Sequence, residues 1–150
     1  MPQSLANVLV HAVFSTRGRL HVITPEVQAE LYPYIATVLG SGGSQAIKIG
    51  GFTDHVHLLF RLSRTRSLAD TLSEVKSVSS RWLKTKGGAL RDFAWQSGYG
   101  AFSVSTGDAA AIIRYIERQA EHHRVVTFQD ELRALFLEAG IEFDERYVWD

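Results

Sequence analysis

The chain contains no cysteine, which excludes both a disulfide framework and a thiolate metal site. No apolar run approaches the roughly 20 residues that a bilayer-spanning helix requires. The first residues, Met1 to Ser4, lack the basic and long apolar regions of a secretory signal peptide. Together these absences predict a soluble protein of the reducing cytoplasm with no membrane partner.

The sequence also lacks internal repeats, low-complexity segments and linkers that would mark a second domain. Its 150 residues are enough to bury one core of ordinary size. The hydrophobic content of 45% and the charged content of 21% are typical of a globular protein rather than a disordered one. We therefore predict a single domain over residues 1–150.

Net charge is absent as well, because sixteen basic residues balance sixteen acidic ones. The charges are nevertheless unevenly distributed along the chain. Residues 61–91 contain eight basic and two acidic side chains, whereas residues 117–150 contain four basic and nine acidic ones. The first segment can form a basic face suited to phosphates, although a solvated helix surface also explains it. A net charge of zero therefore does not exclude nucleic acid as a partner.

Hydrophobic periodicity and turn residues divide the chain into strands and helices. The predicted elements are strands over 5–14, 45–51 and 54–60, helices over 25–39 and 68–84, short strand segments at 93–95 and 101–105, and helices over 109–122 and 128–139. The order β-α-β-β-α-β is that of the ferredoxin-like, RRM-like split βαβ plan. We predict an α+β fold in which two helices cover one face of an antiparallel sheet. The other face is left for a C-terminal helix that carries Tyr115, and a tail helix follows.

The predicted strand over 54–60 contains two histidines, His55 and His57, separated by one apolar residue. Alternate side chains of a strand point to opposite faces, so both imidazoles would stand side by side on one face. That spacing is close enough for them to hold one divalent metal ion. A half-buried strand with two exposed histidines explains the same pattern. His11, in the first strand, is predicted to be a hydrogen-bonded core residue.

Further along the chain, Tyr115 and Gln119 are four residues apart in a helical pattern. Such a pair projects from one face of a helix. Docked over the open face of the sheet, it would meet His55 and His57 and complete a set of two imidazoles and one amide oxygen. This set suits Mg²⁺ or Mn²⁺ when phosphate oxygens fill the remaining positions. Packing of the tyrosine and solvation of the glutamine are the alternatives.

Tyr115 is the candidate nucleophile of such a site. A phenol with a pKa of about 10 attacks phosphate poorly at neutral pH unless its proton is removed or a cation lies nearby. A covalent phosphotyrosine conserves the energy of the broken bond, so that a second strand can attack it and rejoin. This chemistry serves rearrangement of DNA rather than simple digestion.

Several motifs follow one another along the chain. They are Thr16-Arg17-Gly18-Arg19 after the opening strand, His55-Val56-His57, the segment from Trp95 to Ser105, the Tyr115-x-x-x-Gln119 helix, and the closing stretch from Gly140 to Trp149. In this order they resemble the single-domain HUH transposases, the one-tyrosine, single-strand DNA transposases of small bacterial and archaeal insertion sequences, a family that includes the REP-associated tyrosine transposases. The likeness covers essentially the whole chain.

The resemblance implies a metal-dependent DNA transposase that cleaves and rejoins single-stranded DNA at hairpin-marked ends. By position, His55, His57 and Gln119 match the family's metal ligands, and Tyr115 matches the nucleophile that forms a 5′-phosphotyrosine. Family members act on single-stranded DNA with hairpins rather than on small-molecule substrates, and typically as homodimers. In many, the tyrosine helix reaches the histidines of the other subunit, which would make Gly107 a hinge. A simple turn before the helix explains Gly107 equally.

DNA contacts are predicted from the basic segment and from nearby aromatic residues. The candidate phosphate contacts are Arg61, Arg64, Lys76, Arg81, Lys84 and Lys86. The candidate stacking platforms for unpaired bases are Trp95, Tyr99 and Phe102, with core or dimer packing as the alternative for at least one of them. His122 and His123 fit either a further metal or phosphate contact or a solvated helix end.

Two other functions are compatible with the sequence. A domesticated relative associated with repeated palindromic sequences would keep cleavage without mobilising its own gene. A non-catalytic module on the same fold would bind hairpins or single-stranded DNA, and its binding would be indifferent to Tyr115→Phe and to chelators. The presence of all four predicted active-site residues favours the enzyme.

Overall fold

A computed structural model describes residues 2–150 of the chain, which contain four strands and five α-helices. The strands are β1 (Leu9–Ser15), β2 (Gln45–Phe52), β3 (His55–Arg61) and β4 (Gly100–Val104). The helices are α1 (Pro25–Ser41), α2 (Leu68–Lys84), α3 (Ala109–Glu117), α4 (Gln119–His122) and α5 (Phe128–Glu138). None of the helices in this described range is long and apolar enough to cross a bilayer.

The strands form one antiparallel sheet in the order β2-β3-β1-β4. β1 is central and pairs with β3 on one side and with β4 on the other. The unit β1-α1-β2 therefore connects two strands that lie on either side of β3 in the sheet, which is the split βαβ arrangement. This topology confirms the predicted α+β, ferredoxin-like fold.

One face of the sheet is apolar and packs against α1 and α2. Alternate residues of the central strands, among them Phe14, Leu58 and Phe60, are fully buried there. Each covering helix begins at a hydroxyl N-cap, Thr24 for α1 and Ser67 for α2, whose side chain accepts a backbone hydrogen bond. This layer provides the rigid support beneath the histidine strand.

Three predicted element boundaries are wrong. The first strand begins at Leu9 rather than Leu5, because Arg61 of β3 and Val104 of β4 both end opposite Leu9, and earlier residues have no neighbouring strand to pair with in the described chain. The segment 93–95 is a single bridge between Thr16 and Trp95 rather than a strand. The helix predicted over 109–122 is interrupted between α3 and α4.

The opposite face of the sheet is covered by α3, α4 and α5. α3 and α4 lie mainly on β2, the edge strand beside the histidine strand. Phe128, Leu132 and Phe136 of α5 form a second apolar cluster with Val13 of β1. Side chains on this face of β3 are therefore enclosed between the sheet and the C-terminal helices.

Candidate active site

His55 and His57 project from β3 toward the C-terminal helices, because they alternate with the core residues Val56 and Leu58. Both side chains are fully buried. The alternative of two exposed histidines is therefore wrong. Buried polar groups require partners, so their hydrogen bonds indicate what the site is built to hold.

Each imidazole is oriented by a buried partner on its far nitrogen. His55 Nδ1 donates to the Asp54 carboxylate at 2.7 Å. His57 Nδ1 lies 2.8 Å from Nε2 of His11, which is its diagonal neighbour on β1 and is the hydrogen-bonded core residue that the sequence predicts. Outer partners of this kind fix the ring orientation of histidine ligands. The Nε2 atoms of both rings are consequently turned into the site.

The helix that carries Tyr115 docks beside the histidines of its own chain. Ile116 packs over Gly50, which lies directly opposite His57 in the sheet register. The rings of Tyr115 and His57 are 5.5 Å apart between centroids. Gln119 is buried, and its Oε1 lies 2.9 Å from His55 Nε2. The structure therefore brings all four predicted active-site residues together within one chain.

Sequence reasoning missed Glu131, which occupies the centre of the cluster. Its side chain is 2% exposed, and its Oε1 lies 3.2 Å from His57 Nε2 and 3.4 Å from His55 Nε2. Its Oε2 accepts hydrogen bonds from Gln119 Nε2 at 3.0 Å and from the Tyr115 hydroxyl. The sequence did contain one indication of this role. Glu131 is an acidic residue on the apolar stripe of an amphipathic helix, and a charge is rarely buried there without a partner.

The electrostatics of the site are dominated by the Glu131 carboxylate among imidazoles. Burial alone would raise the pKa of Glu131, but hydrogen bonds from His123, His55 and His57 hold that pKa far below its ordinary value. Burial likewise opposes the charged form of His55, yet its hydrogen bonds to Asp54 and Glu131 raise the pKa of His55 to about 9. Glu131 therefore stays ionised, and its carboxylate attracts positive charge into the site.

The remaining groups are held neutral. Burial lowers the pKa of His57 to about 4, and burial together with the neighbouring His57 lowers the pKa of His11 to about 3. Burial and the negative charge of Glu131 raise the pKa of Tyr115 above its ordinary value. The tyrosine therefore retains its proton until a cation or a substrate changes the balance.

The donor set fits a divalent metal ion. Imidazole nitrogens from His55 and His57 and a carboxylate oxygen from Glu131 lie within 4.8 Å of one another, and all three residues are buried. The Gln119 amide oxygen adjoins one of these atoms, His55 Nε2. Nitrogen and oxygen donors that converge in this way are compatible with metal binding.

A cleft of about 650 Å³ opens beside Tyr115. Arg114 and Arg118 line it on the helix side, together with His122 and Glu121. The two arginines are four residues apart, so they flank the tyrosine on adjacent turns. Sequence reasoning did not single out this pair, because only the docked helix shows that they border the opening to the site.

Comparison with known proteins identifies the family of this chain. A family model described as an IS200-like transposase matches residues 4–119, from the segment before β1 to Gln119. The chain belongs to the IS200-like transposase family. The resemblance inferred from the motifs is thereby confirmed, and the protein is a DNA-processing enzyme of the transposase class.

Two solved structures share the fold of this transposase. A candidate transposase from Deinococcus radiodurans R1 is 23% identical and has a TM-score of 0.62, with 79% of this chain and 98% of that chain covered. A REP-associated tyrosine transposase, bound to a REP hairpin, is 16% identical and has a TM-score of 0.61, with 84% of this chain and 74% of that chain covered. At these identities the likeness shows the fold alone. No curated protein matches this transposase.

The basic residues predicted to contact DNA lie in different environments in the transposase. Those that are exposed are Arg64, Arg81, Lys84 and Lys86. Arg61 donates to Asn7 and Gln45, and Lys86 pairs with Glu30 and lies over the ring of Trp82. Lys76 donates to the carbonyls of Ser97 and Gly98 at 3.0 and 2.8 Å. Their contact with DNA remains a prediction.

The three predicted stacking residues also differ. Trp95 is buried against Phe14 and Phe93, and its indole N–H donates to Ser79, so it occupies the core position that the sequence left open for one of them. Tyr99 is exposed at the edge of a cleft of about 400 Å³ that Lys76 also lines. Phe102 is half-buried near His11 and Phe136.

Gly107, the predicted hinge, lies in a short 3₁₀ turn over Thr106–Asp108 just before α3. A Cβ added there would meet no atom of the described residues within 4 Å. The position is therefore sterically open in the conformation that docks α3 on its own sheet, and its hinge role remains a prediction.

Proposed function

We propose that the protein cleaves and rejoins single-stranded DNA at hairpin-marked ends through a 5′-phosphotyrosine on Tyr115. A divalent ion, Mg²⁺ or Mn²⁺, would be held by His55, His57 and Gln119. The observation that carries the proposal is the convergence of these four side chains, of which Tyr115 also lines a cleft together with Arg114 and Arg118. Membership of the transposase family supports it.

In the cleavage step, the Tyr115 oxygen attacks the scissile phosphorus. The bond from phosphorus to the 3′ oxygen breaks, and the strand leaves with a free 3′-OH. The hydroxyl proton of Tyr115, which is hydrogen-bonded to Glu131 Oε2, ends on the leaving 3′ oxygen. In the joining step, a 3′-OH attacks the phosphotyrosine and Tyr115 recovers its proton.

Other side chains hold these groups in place. Asp54 and His11 orient the two imidazoles through their far nitrogens. When bound, a divalent ion polarises the scissile phosphate and stabilises the negative charge that develops on it. Arg114 and Arg118 lie beside Tyr115, where they would contact phosphates of the strand that enters the cleft.

Exposed basic residues and one structural relative support the proposed substrate. The REP-associated relative is bound to a REP hairpin, and we propose a hairpin in single-stranded DNA as the partner of this chain also. Arg64, Arg81 and Lys84 are exposed and would meet its phosphates. We further propose a homodimer as the assembly that pairs two DNA ends.

The direct test is formation of a covalent protein–DNA adduct. The protein is incubated with single-stranded DNA from both flanks of its own gene and with Mn²⁺ or Mg²⁺, and a denaturing gel is scored for a shifted band. We expect a band that requires the metal and disappears with chelator. Hairpin binding without any band would favour the non-catalytic binding module instead.

Lys76 provides a pH-dependent test of the proposed DNA surface. Burial lowers the pKa of Lys76 to about 8, so its charge is present at pH 7 and largely lost at pH 9. If Lys76 contacts a phosphate, hairpin affinity should fall about three- to tenfold between these pH values, since one ionic contact is lost. Fluorescence anisotropy of a labelled hairpin measures this change.

The matched control for that measurement is Lys76→Arg. A guanidinium stays charged throughout this pH range, so the variant should bind the hairpin almost equally at pH 7 and pH 9. The same decline in affinity in both proteins would show that another group, rather than Lys76, causes the pH dependence.

A further inference from the structure

More donor atoms converge in the site than the three that the proposed function assigns to the metal. His123 Nε2 lies 2.9 Å from Gln119 Oε1 and 3.1 Å from Glu131 Oε1. Its side chain is 3% exposed, although the residue directly follows the short helix α4 at the rim of the site. Glu131 Oε1 in turn approaches His55 and His57. Three imidazoles, one carboxylate and one amide thus face a common point.

The hydrogen bonds of two histidines determine which of their nitrogens carries a proton. His123 Nδ1 lies 2.6 Å from the backbone carbonyl of Val126, and a carbonyl can only accept, so Nδ1 is the donor. His55 Nδ1 donates in the same way to the Asp54 carboxylate. Nε2 of each ring therefore faces Glu131, to which it donates while it carries a proton, and it offers a lone pair to an ion that displaces that proton.

The oxygen atoms around these nitrogens are acceptors as well. Gln119 Nε2 donates to Glu131 Oε2 at 3.0 Å, which orients the amide so that its Oε1 faces His55 and His123. Lone pairs that face one another across such distances repel unless a proton or a cation lies between them. The arrangement is therefore complementary to positive charge at its centre.

The spacing of the donors is that of ligands around one ion. Ligands about 2.1 Å from an ion are about 3.0 Å apart when they subtend a right angle and about 3.4 Å apart in a tetrahedron. The contacts that His123 and Glu131 make with the other donors range from 2.9 to 3.4 Å. Glu131 Oε1 now lies within 3.4 Å of all three imidazole nitrogens, so the carboxylate would shift to admit an ion among them.

We propose that His123 and Glu131 are direct metal ligands together with His55, His57 and Gln119, and that this three-imidazole set selects Mn²⁺ over Mg²⁺. Mg²⁺ prefers oxygen ligands and retains several waters, whereas imidazole nitrogen suits transition metals. The inference rests on the metal dependence in the proposed function and extends it to ligands and ion preference that motif matching did not assign.

The test is direct metal binding, measured by isothermal titration calorimetry on the full chain without DNA. Wild-type protein should bind Mn²⁺ at least about tenfold more tightly than Mg²⁺. His123→Gln should weaken Mn²⁺ binding by about 100-fold, because loss of a ligand costs no less than loss of an outer partner. The control is His21→Gln, since His21 is exposed and its Nδ1 pairs with the Thr53 hydroxyl rather than with the donors of the site. That variant should retain wild-type affinity.

An unchanged Mn²⁺ affinity in His123→Gln, equal losses in both variants, or equal affinity of the wild type for the two ions would overturn the inference. Pulsed electron paramagnetic resonance of the Mn²⁺-loaded wild type provides a test that needs no variant. Nitrogen couplings from three imidazoles are expected, and couplings from two would exclude His123.

The test of the metal ligands and the test of the proposed function can fail independently of each other. A metal-dependent DNA adduct combined with two imidazole couplings would retain the transposase chemistry and reject His123 as a ligand. Three couplings without any adduct would retain the metal centre and reject the tyrosine chemistry. A wild type that binds neither ion would reject the inference outright, and the adduct assay with chelator would then decide the function separately.

Discussion

Replacement of Tyr115 by phenylalanine is expected to abolish the covalent DNA adduct and leave the fold and hairpin binding intact. The ring fills the same space beside His57 and His11, and only the hydroxyl that contacts Glu131 is lost. Loss of a nucleophile lowers enzymatic rates by about 10⁴-fold or more. Loss of one hydrogen bond should change the free energy of unfolding by only about 1–2 kcal/mol.

The measurement compares wild type and Tyr115→Phe in the denaturing-gel assay, with thermal unfolding and hairpin anisotropy as controls. Adducts that persist in the variant would assign the nucleophile to another residue. Adducts that vanish together with hairpin binding and the unfolding transition would indicate misfolding instead.

A mixture of Tyr115→Phe and His57→Ala proteins tests whether the site is shared between subunits. In the structure, Tyr115 packs against His57 of its own chain. The mixture should therefore remain inactive, because neither variant contains a complete site. Recovery of adducts would show that α3 exchanges between protomers, which would support Gly107 as a hinge.

Gly50→Ala is expected to slow adduct formation by about 100-fold without a comparable loss of hairpin binding. A Cβ at this position would lie 2.6 Å from Ile116 Cγ2 and 2.9 Å from the Ile116 carbonyl oxygen. Favourable carbon contacts lie at about 3.5–4.0 Å, so α3 must move outward by roughly 1 Å. Tyr115 is adjacent to Ile116, and a misplacement of about 1 Å costs on the order of 10²-fold in rate.

The control is Gly40→Ala in α1, where an added Cβ would meet no atom of residues 2–150 within 4 Å. This variant should keep wild-type activity and gain about 0.5–1 kcal/mol of stability, because alanine is favoured over glycine within a helix. Gly50→Ala should lose about 1–3 kcal/mol through overpacking. Wild-type adduct rates in Gly50→Ala would show that the docking of α3 on β2 does not position the nucleophile.

The sheet and its covering helices could be predicted because their signals are local. Alternation along β3 places Val56 and Leu58 on the core face and the two histidines on the other, and this follows from strand geometry alone. The four-residue spacing of Tyr115 and Gln119 likewise places both on one side of the helix. The break at Arg118 was not predicted, since its φ of −96° and ψ of 14° interrupt an otherwise continuous helical pattern.

Packing between residues far apart in the chain was harder to predict from the sequence. Trp95 is aromatic and follows a basic helix, a pattern that fits base stacking, yet the bridge to Thr16 carries it into the core between Phe14 and Phe93. Lys76 belongs to a basic helix face, yet it is partly buried where the loop at Ser97 folds over it. Local charge and aromaticity do not encode which surface a neighbouring loop will cover.

By itself, the sequence determined the order of the sheet strands and their covering helices and the shared face of His55 and His57, because each depends on residues close together in the chain. The candidate nucleophile, Tyr115, rests on the resemblance to the transposase family. Only the tertiary structure decided that Glu131 and His123 complete the cluster. The docking of α5 on the sheet and the bend after Arg118 bring them there. Such contacts depend on how separate elements pack. The periodicity of an amphipathic helix shows that one face is buried, but it does not show which part of the protein covers that face.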